Sequence, residues 1–410
     1  MNDLVVGIDV GTNKICTIVG EVRQDDIFVV GVGIEPSRGM KKGVVNDITS
    51  LTAAVSASVH KAEKSSGYDI GRAFVSVAGN HIASMNSRGA TGISGTRGVT
   101  MEDIDRAMEA ARAIAIPHNR EVLHVVPRSY SLDGQDRVRS PIGMHGFRLE
   151  VEAHIITAAT TSVANLEQAV EAAGVYVDRF ILNPLASGDT ILTPDEREMG
   201  VVVIDIGGGT TDLAIFIEGT VWHTAVIPLG GDHVTNDIAS LFHLPFHDAE
   251  AVKLKYGHAQ PGDVDATETF LIQPFGEGYP TELKRAELAE VIEARAEEMF
   301  EHVHQEIKRS GYDGLLRAGA VITGGASQLT GMREVAAKEF GFPVRNGKPE
   351  KLTGMADALK HPSYSTSVGL LRLGLQMDTA APAPGLNGAA GGIGALLGNL
   401  LRRLLPDNER

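Results

Sequence analysis

Asp9 and Asp205 each close a short apolar run, and each is followed by a turn of small residues. The first turn reads Gly11-Thr12-Asn13-Lys14 and the second Gly207-Gly208-Gly209-Thr210-Thr211. These residue types suit a phosphate, whose oxygens need backbone N–H donors converging from more than one side. A bulky side chain in the turn would block that approach. Lys14 adds a point charge for a terminal phosphate oxygen. The two carboxylates, one at each strand end, are placed to hold a hydrated Mg2+ through its waters. Either loop alone reads most simply as a tight turn, but a matched pair at duplicated positions does not.

A third stretch has the same character. Ala320–Thr323 is an apolar run feeding Gly324-Gly325 and Ser327, a place for adenosine to lie against open backbone. Glu250 and Lys253, one helical turn apart, are expected to reach the ribose and the base edge. The plainer reading of that pair is an i,i+3 surface ion pair.

The elements that must carry these loops are legible as periodicity. Leu4–Val10, Ile15–Val22 and Phe28–Gly33 read as strands, followed by a helix over 48–65 and a strand over 73–78. Gly200–Ile206, Leu213–Glu218 and Val221–Ile227 repeat that opening, which implies two like domains facing one another. Residues 83–163 stand outside the repeat and read as an inserted α+β unit. It opens with the Gly/Ser/Thr-rich stretch 87–98, has a capping-box helix start at Thr100 and Asp103, and has strands over 121–132 and 147–157 flanking the Asp133-Gly134 turn. Residues 248–257 and 281–310 read as charged helices.

The composition excludes some functions. A net charge of −15 offers phosphates no overall positive field, so no nucleic-acid partner is expected. One cysteine, Cys16, permits no internal disulfide and suits a reducing compartment. Neither a secretory pattern at Met1–Gly7 nor an apolar run long enough to span a bilayer is evident, so a cytoplasmic protein is expected. The stretch after Gly374 changes character: 379–392 is Ala, Pro and Gly and reads as a linker. Beyond it Ile393, Leu396, Leu397, Leu400, Leu401, Leu404 and Leu405 recur in alternating steps of three and one. That is an amphipathic helix suited to lying in a membrane surface, with Pro406 to end it.

Gly7-x-Asp9-x-Gly11-Thr12, Asp205-x-Gly207-Gly208-Gly209-Thr210 and Thr323-Gly324-Gly325 resemble the two phosphate motifs and the adenosine motif of the actin, sugar-kinase and heat-shock-chaperone ATPases. Within that superfamily the chain is similar to the bacterial cell-division FtsA family. The short connection between residues 33 and 48 leaves no room for actin's subdomain there, and the extra unit is inserted at 83–163 instead. Ser37–Asp47, Leu288–Arg295 and Tyr364–Leu370 also resemble family blocks.

The resemblance implies an α/β, actin-like fold: two duplicated ribonuclease-H-like domains around a nucleotide cleft, with an inserted subdomain (1C) and a helical, mixed subdomain (2B). It divides the chain into 1–82 with 164–197 and 357–376 (1A), 83–163 (1C), 198–241 with 311–356 (2A) and 242–310 (2B). A linker over 377–392 and a membrane helix over 393–405 follow. It implies ATP and Mg2+ as ligands and self-association into polymers. It also implies binding of the FtsZ C-terminal peptide near Arg295, recruitment of later division proteins, and residence on the inner face of the cell membrane at the division site. Turnover is expected to be weak. Actin relatives orient the attacking water with a Gln or Glu where this chain has Leu182-Asn183-Pro184, so Asn183 stands there and Asp205 is the best remaining group to polarise water. The alternatives are a pilus-assembly relative of the same architecture and a small-molecule kinase.

Overall fold

The computed structural model describes residues 4–23, 26–93, 98–276, 279–350, 352–355 and 357–378. Met377 and Asp378 complete the last helix, Ser365–Asp378. The rest of the expected linker and the expected membrane helix at 393–405 lie outside the described residues.

Two sheets of the same topology form the body. In the first, Leu4–Val10, Lys14–Arg23 and Asp26–Pro36 run antiparallel. Arg72–Val77 then pairs parallel to the first strand, and Tyr176–Leu182 parallel to that. In the second, Val201–Ile206, Thr211–Ile217 and Thr220–Ile227 are antiparallel, with Ala320–Thr323 and Val344–Asn346 added in parallel. Both sheets have the spatial order third, second, first, fourth, fifth, so the repeat in the sequence is a repeat of fold. Every residue of Val201–Ile206 and Thr211–Ile217 is buried. Helices cover both faces, which is why these strands read as unbroken apolar runs rather than alternating ones. Thr353–Gly354 pairs with Asp26–Pro36 at the far edge of the first sheet, so the chain returns to that sheet before residue 357, where the sequence had placed the crossing.

The inserted unit is a four-stranded sheet ordered Ile82–Gly92, Arg148–Ala159, Arg120–Leu132, Gln135–Val138. Its helix, Met101–Arg112, starts on the reciprocal Thr100–Asp103 capping box. Two expectations need correction here. Asp133-Gly134, with φ of 50° and 83°, is a two-residue hairpin turn. It leads into the short strand Gln135–Val138, and the long strand comes only afterwards. The Asp133 carboxylate accepts the N–H groups of Phe147 and Arg148, which ties that later strand back to the turn. The Gly/Ser-rich stretch from residue 87 also begins inside a strand. A Cβ at Gly89 would lie 2.1 Å from the Ala107 carbonyl oxygen, so the glycine is there to let the helix approach the sheet.

The charged segment differs at its start. Thr281–Lys284 is a strand paired with Thr269–Ile272, and the helix runs Arg285–Ser310. Phe270 of that hairpin stacks on Tyr256 at 4.0 Å, and Leu283 is buried. This burial holds the β-branched Thr281 end extended rather than helical. Leu288, Ile292, Met299, Val303 and Ile307 face the second domain's core.

Ser365–Asp378 packs on the first sheet and crosses the helix Asn183–Ile191. A Cβ at Gly369 would fall 1.9 Å from the Ala186 carbonyl oxygen, so the two helices meet backbone to backbone. That crossing sets the first turn of the last helix between the two domains.

Candidate functional site

The two Gly/Thr turns face each other across a cleft of about 500 Å³. Strand register fixes what its floor presents: Asp9 lies opposite Cys16 on the neighbouring strand, and Asp205 lies opposite Asp212. Asp9 accepts hydrogen bonds from Ser76 at 2.9 Å and Ser367 at 2.7 Å. Asp205 accepts one from Thr366 at 2.8 Å. Consecutive residues of the last helix thus reach the acidic groups of both domains.

Burial makes Asp205 and its strand neighbour Asp212 reluctant to ionise. Asp205 is pushed up from 3.8 to about 6, first by desolvation and then by the neighbouring Asp9 charge, with the Thr366 hydroxyl opposing the rise. Asp212 is driven well above the ordinary carboxylate range by burial and by the charges of Asp205 and Asp9. One of its oxygens accepts from Thr210 at 3.0 Å, and the other has no partner. Lys14 is lowered by burial, against the pull of Asp9 and Asp205. Its ammonium donates to the Ser363 carbonyl at 2.5 Å and sits 3.6 Å from the centre of the Tyr364 ring. Cys16, pushed up to about 12 by burial, is an inert core residue.

The structure gathers most of the sequence-derived residues into this one cleft. Asp9, Gly11, Thr12, Asn13, Lys14, Asp205, Gly207, Gly208, Thr210, Glu250, Lys253, Gly324 and Gly325 all line it. Gly209, Thr211 and Ser327 do not. Gly209 faces the first domain instead. Thr211 is buried, donating to the Leu229 carbonyl, and Ser327 donates to the Gly324 carbonyl and shapes that turn. Lys253 bonds Glu250 at 2.6 Å and the Gly231 carbonyl at 3.1 Å, so the ion pair exists and lies in the cleft wall. Asn13 donates to Asp232 at 2.7 Å across the opening. Asn183 lines the cleft with a buried oxygen that has no partner. Arg295 is taken up by Asp237, at 2.5 and 2.9 Å, and by Glu298.

Sequence reasoning missed Asp212, Ser76, Thr366 and Ser367. Asp212 had a signal, an acid at the start of an otherwise apolar strand, immediately after the phosphate-type turn. The three hydroxyls had none, because their role depends on which helix ends beside which strand. Among the described residues no group of three or more His, Cys, Asp or Glu stands close enough to hold a metal directly, and no helix is long and apolar enough to cross a membrane.

A family model for cell division protein FtsA matches residues 202–369, and one for the SHS2 domain inserted in FtsA matches 79–157. The cell division protein FtsA of Pseudomonas aeruginosa is 45% identical over 388 residues, covering 94% of this chain and 93% of that one. The chain belongs to the FtsA family. The FtsA proteins of Neisseria meningitidis and Escherichia coli agree, at 41% and 40% identity over 96% and 90% of this chain and the same shares of their own. A model for the ethanolamine utilisation protein EutA also matches residues 150–245. Among solved structures, the PilM–PilN type IV pilus biogenesis complex superposes with a TM-score of 0.65 at 16% identity, over 90% of this chain and 98% of that one. MreB5 of Spiroplasma citri bound to ADP gives 0.55 at 14%, over 89% and 94%. At such identities these likenesses show the actin-like fold alone, whereas the FtsA relatives place the chain among actin-like cell-division proteins.

The raised Asp205 carries a sign. The folded state holds a proton that the unfolded chain gives up near pH 4, so this group's contribution is full below that pH and is lost as pH rises through about 6. Asp205→Asn is therefore expected to be more stable than the parent by about 3 kcal/mol at pH 8 without ligand, with the difference vanishing near pH 4. Urea unfolding at several pH values checks this, and equal stability at pH 8 would contradict it.

Proposed function

We propose that this FtsA-family chain binds ATP with Mg2+ in the cleft and uses the bound nucleotide to bias its own assembly. In that form it anchors the FtsZ ring to the inner face of the cell membrane and recruits later division proteins. The observation that carries the nucleotide reading is the pair of duplicated Gly/Thr turns closing on one cavity over Asp9 and Asp205. Phosphates would lie against the backbone of residues 11–14 and 207–210, and the nucleoside would lie between Gly324-Gly325 and the Glu250–Lys253 wall. Both acids accept hydroxyl donors, and among the described residues they belong to no cluster of three or more metal-ligating groups, which suits a cation that keeps its waters. Such a cation would favour the ionised form of Asp205.

Turnover is slow in this reading. Asn183 offers neither a carboxylate nor a basic group to an attacking water, and Asp205, half protonated near pH 6, is the remaining group that can polarise one. The membrane contact is assigned to residues 393–405. Burying their apolar face in the acyl boundary gains roughly 25 cal/mol per Å², which the folding of a segment containing Gly394 and Gly398 partly offsets, by about 1 kcal/mol per glycine. One tail therefore binds reversibly, and a polymer of tails binds firmly by avidity. The FtsZ peptide is assigned to the face around Arg295, where a peptide carboxylate would have to compete with Asp237 and Glu298 for the guanidinium.

One experiment reads these assignments together: co-sedimentation with anionic vesicles of the full chain, of a chain ending at Gly392, and of Arg295→Ala, with and without ATP. The full chain is expected to sediment more with ATP and to carry FtsZ peptide down with it. The truncated chain should stay in solution, and Arg295→Ala should keep the vesicles but lose the peptide. Equal sedimentation of full and truncated chains would sink the membrane assignment, and peptide retained by Arg295→Ala would sink the docking face.

A further inference from the structure

Between the third strand of the first sheet and its first helix, residues 40–45 form a two-stranded strap, Met40–Lys41 against Val44–Val45. At its tip Lys42 takes a left-handed backbone, φ 51°, and Gly43 follows at 74°. The tip is seated on glycines from two directions. A Cβ on Gly43 would lie 2.6 Å from the Gly79 Cα, and a Cβ on Gly209 would lie 2.9 Å from the Lys42 Cα and 2.7 Å from the Thr12 hydroxyl. Gly209, the one glycine of the second turn that does not line the cavity, is thus the floor on which the first domain's strap rests. Gly43 itself lines the cavity.

The charge at this point is uncommitted. The cleft holds Asp9, Asp205, Asp212 and Asp232, and a nucleoside triphosphate would bring about four more negative charges. The two lysines that line the cleft are engaged: Lys14 with Ser363 and Tyr364, Lys253 with Glu250 and Gly231. Lys42 is exposed and makes no hydrogen bond or ion pair among the described residues. Its charge is felt across the gap by His233, which it helps to hold below the usual histidine range after desolvation has lowered it.

We propose that Lys42 is the second phosphate-binding cation of this site and reads the terminal phosphate, so that the strap distinguishes a nucleoside triphosphate from a diphosphate. The flexible lysine stem starts in contact with the second phosphate loop, and a terminal phosphate bound there gives its ammonium a partner from the opposite domain. A diphosphate ends short of that position and leaves Lys42 in solvent. The strap then couples triphosphate binding to contact between the domains. This rests on the cleft being a nucleotide site, and the test separates the two.

Fluorescent ATP and ADP analogues are titrated, with Mg2+, into the full chain, Lys42→Gln, Lys42→Arg and Gly209→Ala. Lys42→Gln is expected to weaken ATP binding about tenfold and to leave ADP within about twofold, since one charge-assisted contact is lost. Lys42→Arg should restore most of the loss. Gly209→Ala, which lifts the strap from its floor, should also weaken ATP more than ADP. Equal effects on both nucleotides, or none, overturn the Lys42 assignment while leaving the cleft assignment standing. A parent chain that binds neither nucleotide overturns both.

Discussion

Two hydroxyls on successive residues of one helix govern this molecule. Thr366 donates to Asp205 of the second domain, and Ser367 donates to Asp9 of the first. Both acids are buried, and an unpaired buried carboxylate is costly, so each domain is bound to the helix by a group it cannot readily leave unsatisfied. The helix can reach both only because Gly369 lets it lie directly on the Ala186 backbone. The cleft follows from that arrangement. With the acids fixed at its floor, the strand ends that carry them aim their Gly/Thr turns at one another, and Asn13 meets Asp232 across the gap.

Asp205 and Asp212 are held toward their neutral forms by burial, and a cation beside them would favour their ionised forms. On our proposal, ligand binding, the ionisation of these acids and the mutual position of the domains are linked, because all three act on the same few atoms. On the same proposal, that linkage lets nucleotide state set assembly, and assembly turns a weak tail into a firm anchor.

Much of this was legible in the sequence because it was written twice. The apolar strand, acid and small-residue turn at Asp9 and Asp205 announce the duplicated sheets, and the continuous burial of those strands explains why periodicity located them. What was not legible depended on tertiary neighbours. Thr366 and Ser367 look like any helix start until the helix is set between two sheets. Gly89 looks like a loop residue until a helix is laid over it, and Thr281–Lys284 looks helical until Phe270 is stacked on Tyr256 beside it. Gly209 reads as part of the phosphate turn, and its close approach to the opposing strap exists only once the two domains face each other.

On our proposal one ligand engages both domains at once through the first turn of the last helix. Hydrogen–deuterium exchange of the full chain, with and without ATP and Mg2+, tests it most directly. Protection is expected to rise together in residues 9–14, 205–211 and 363–369, and to need Mg2+. Protection confined to one phosphate loop, with the last helix unchanged, would contradict it.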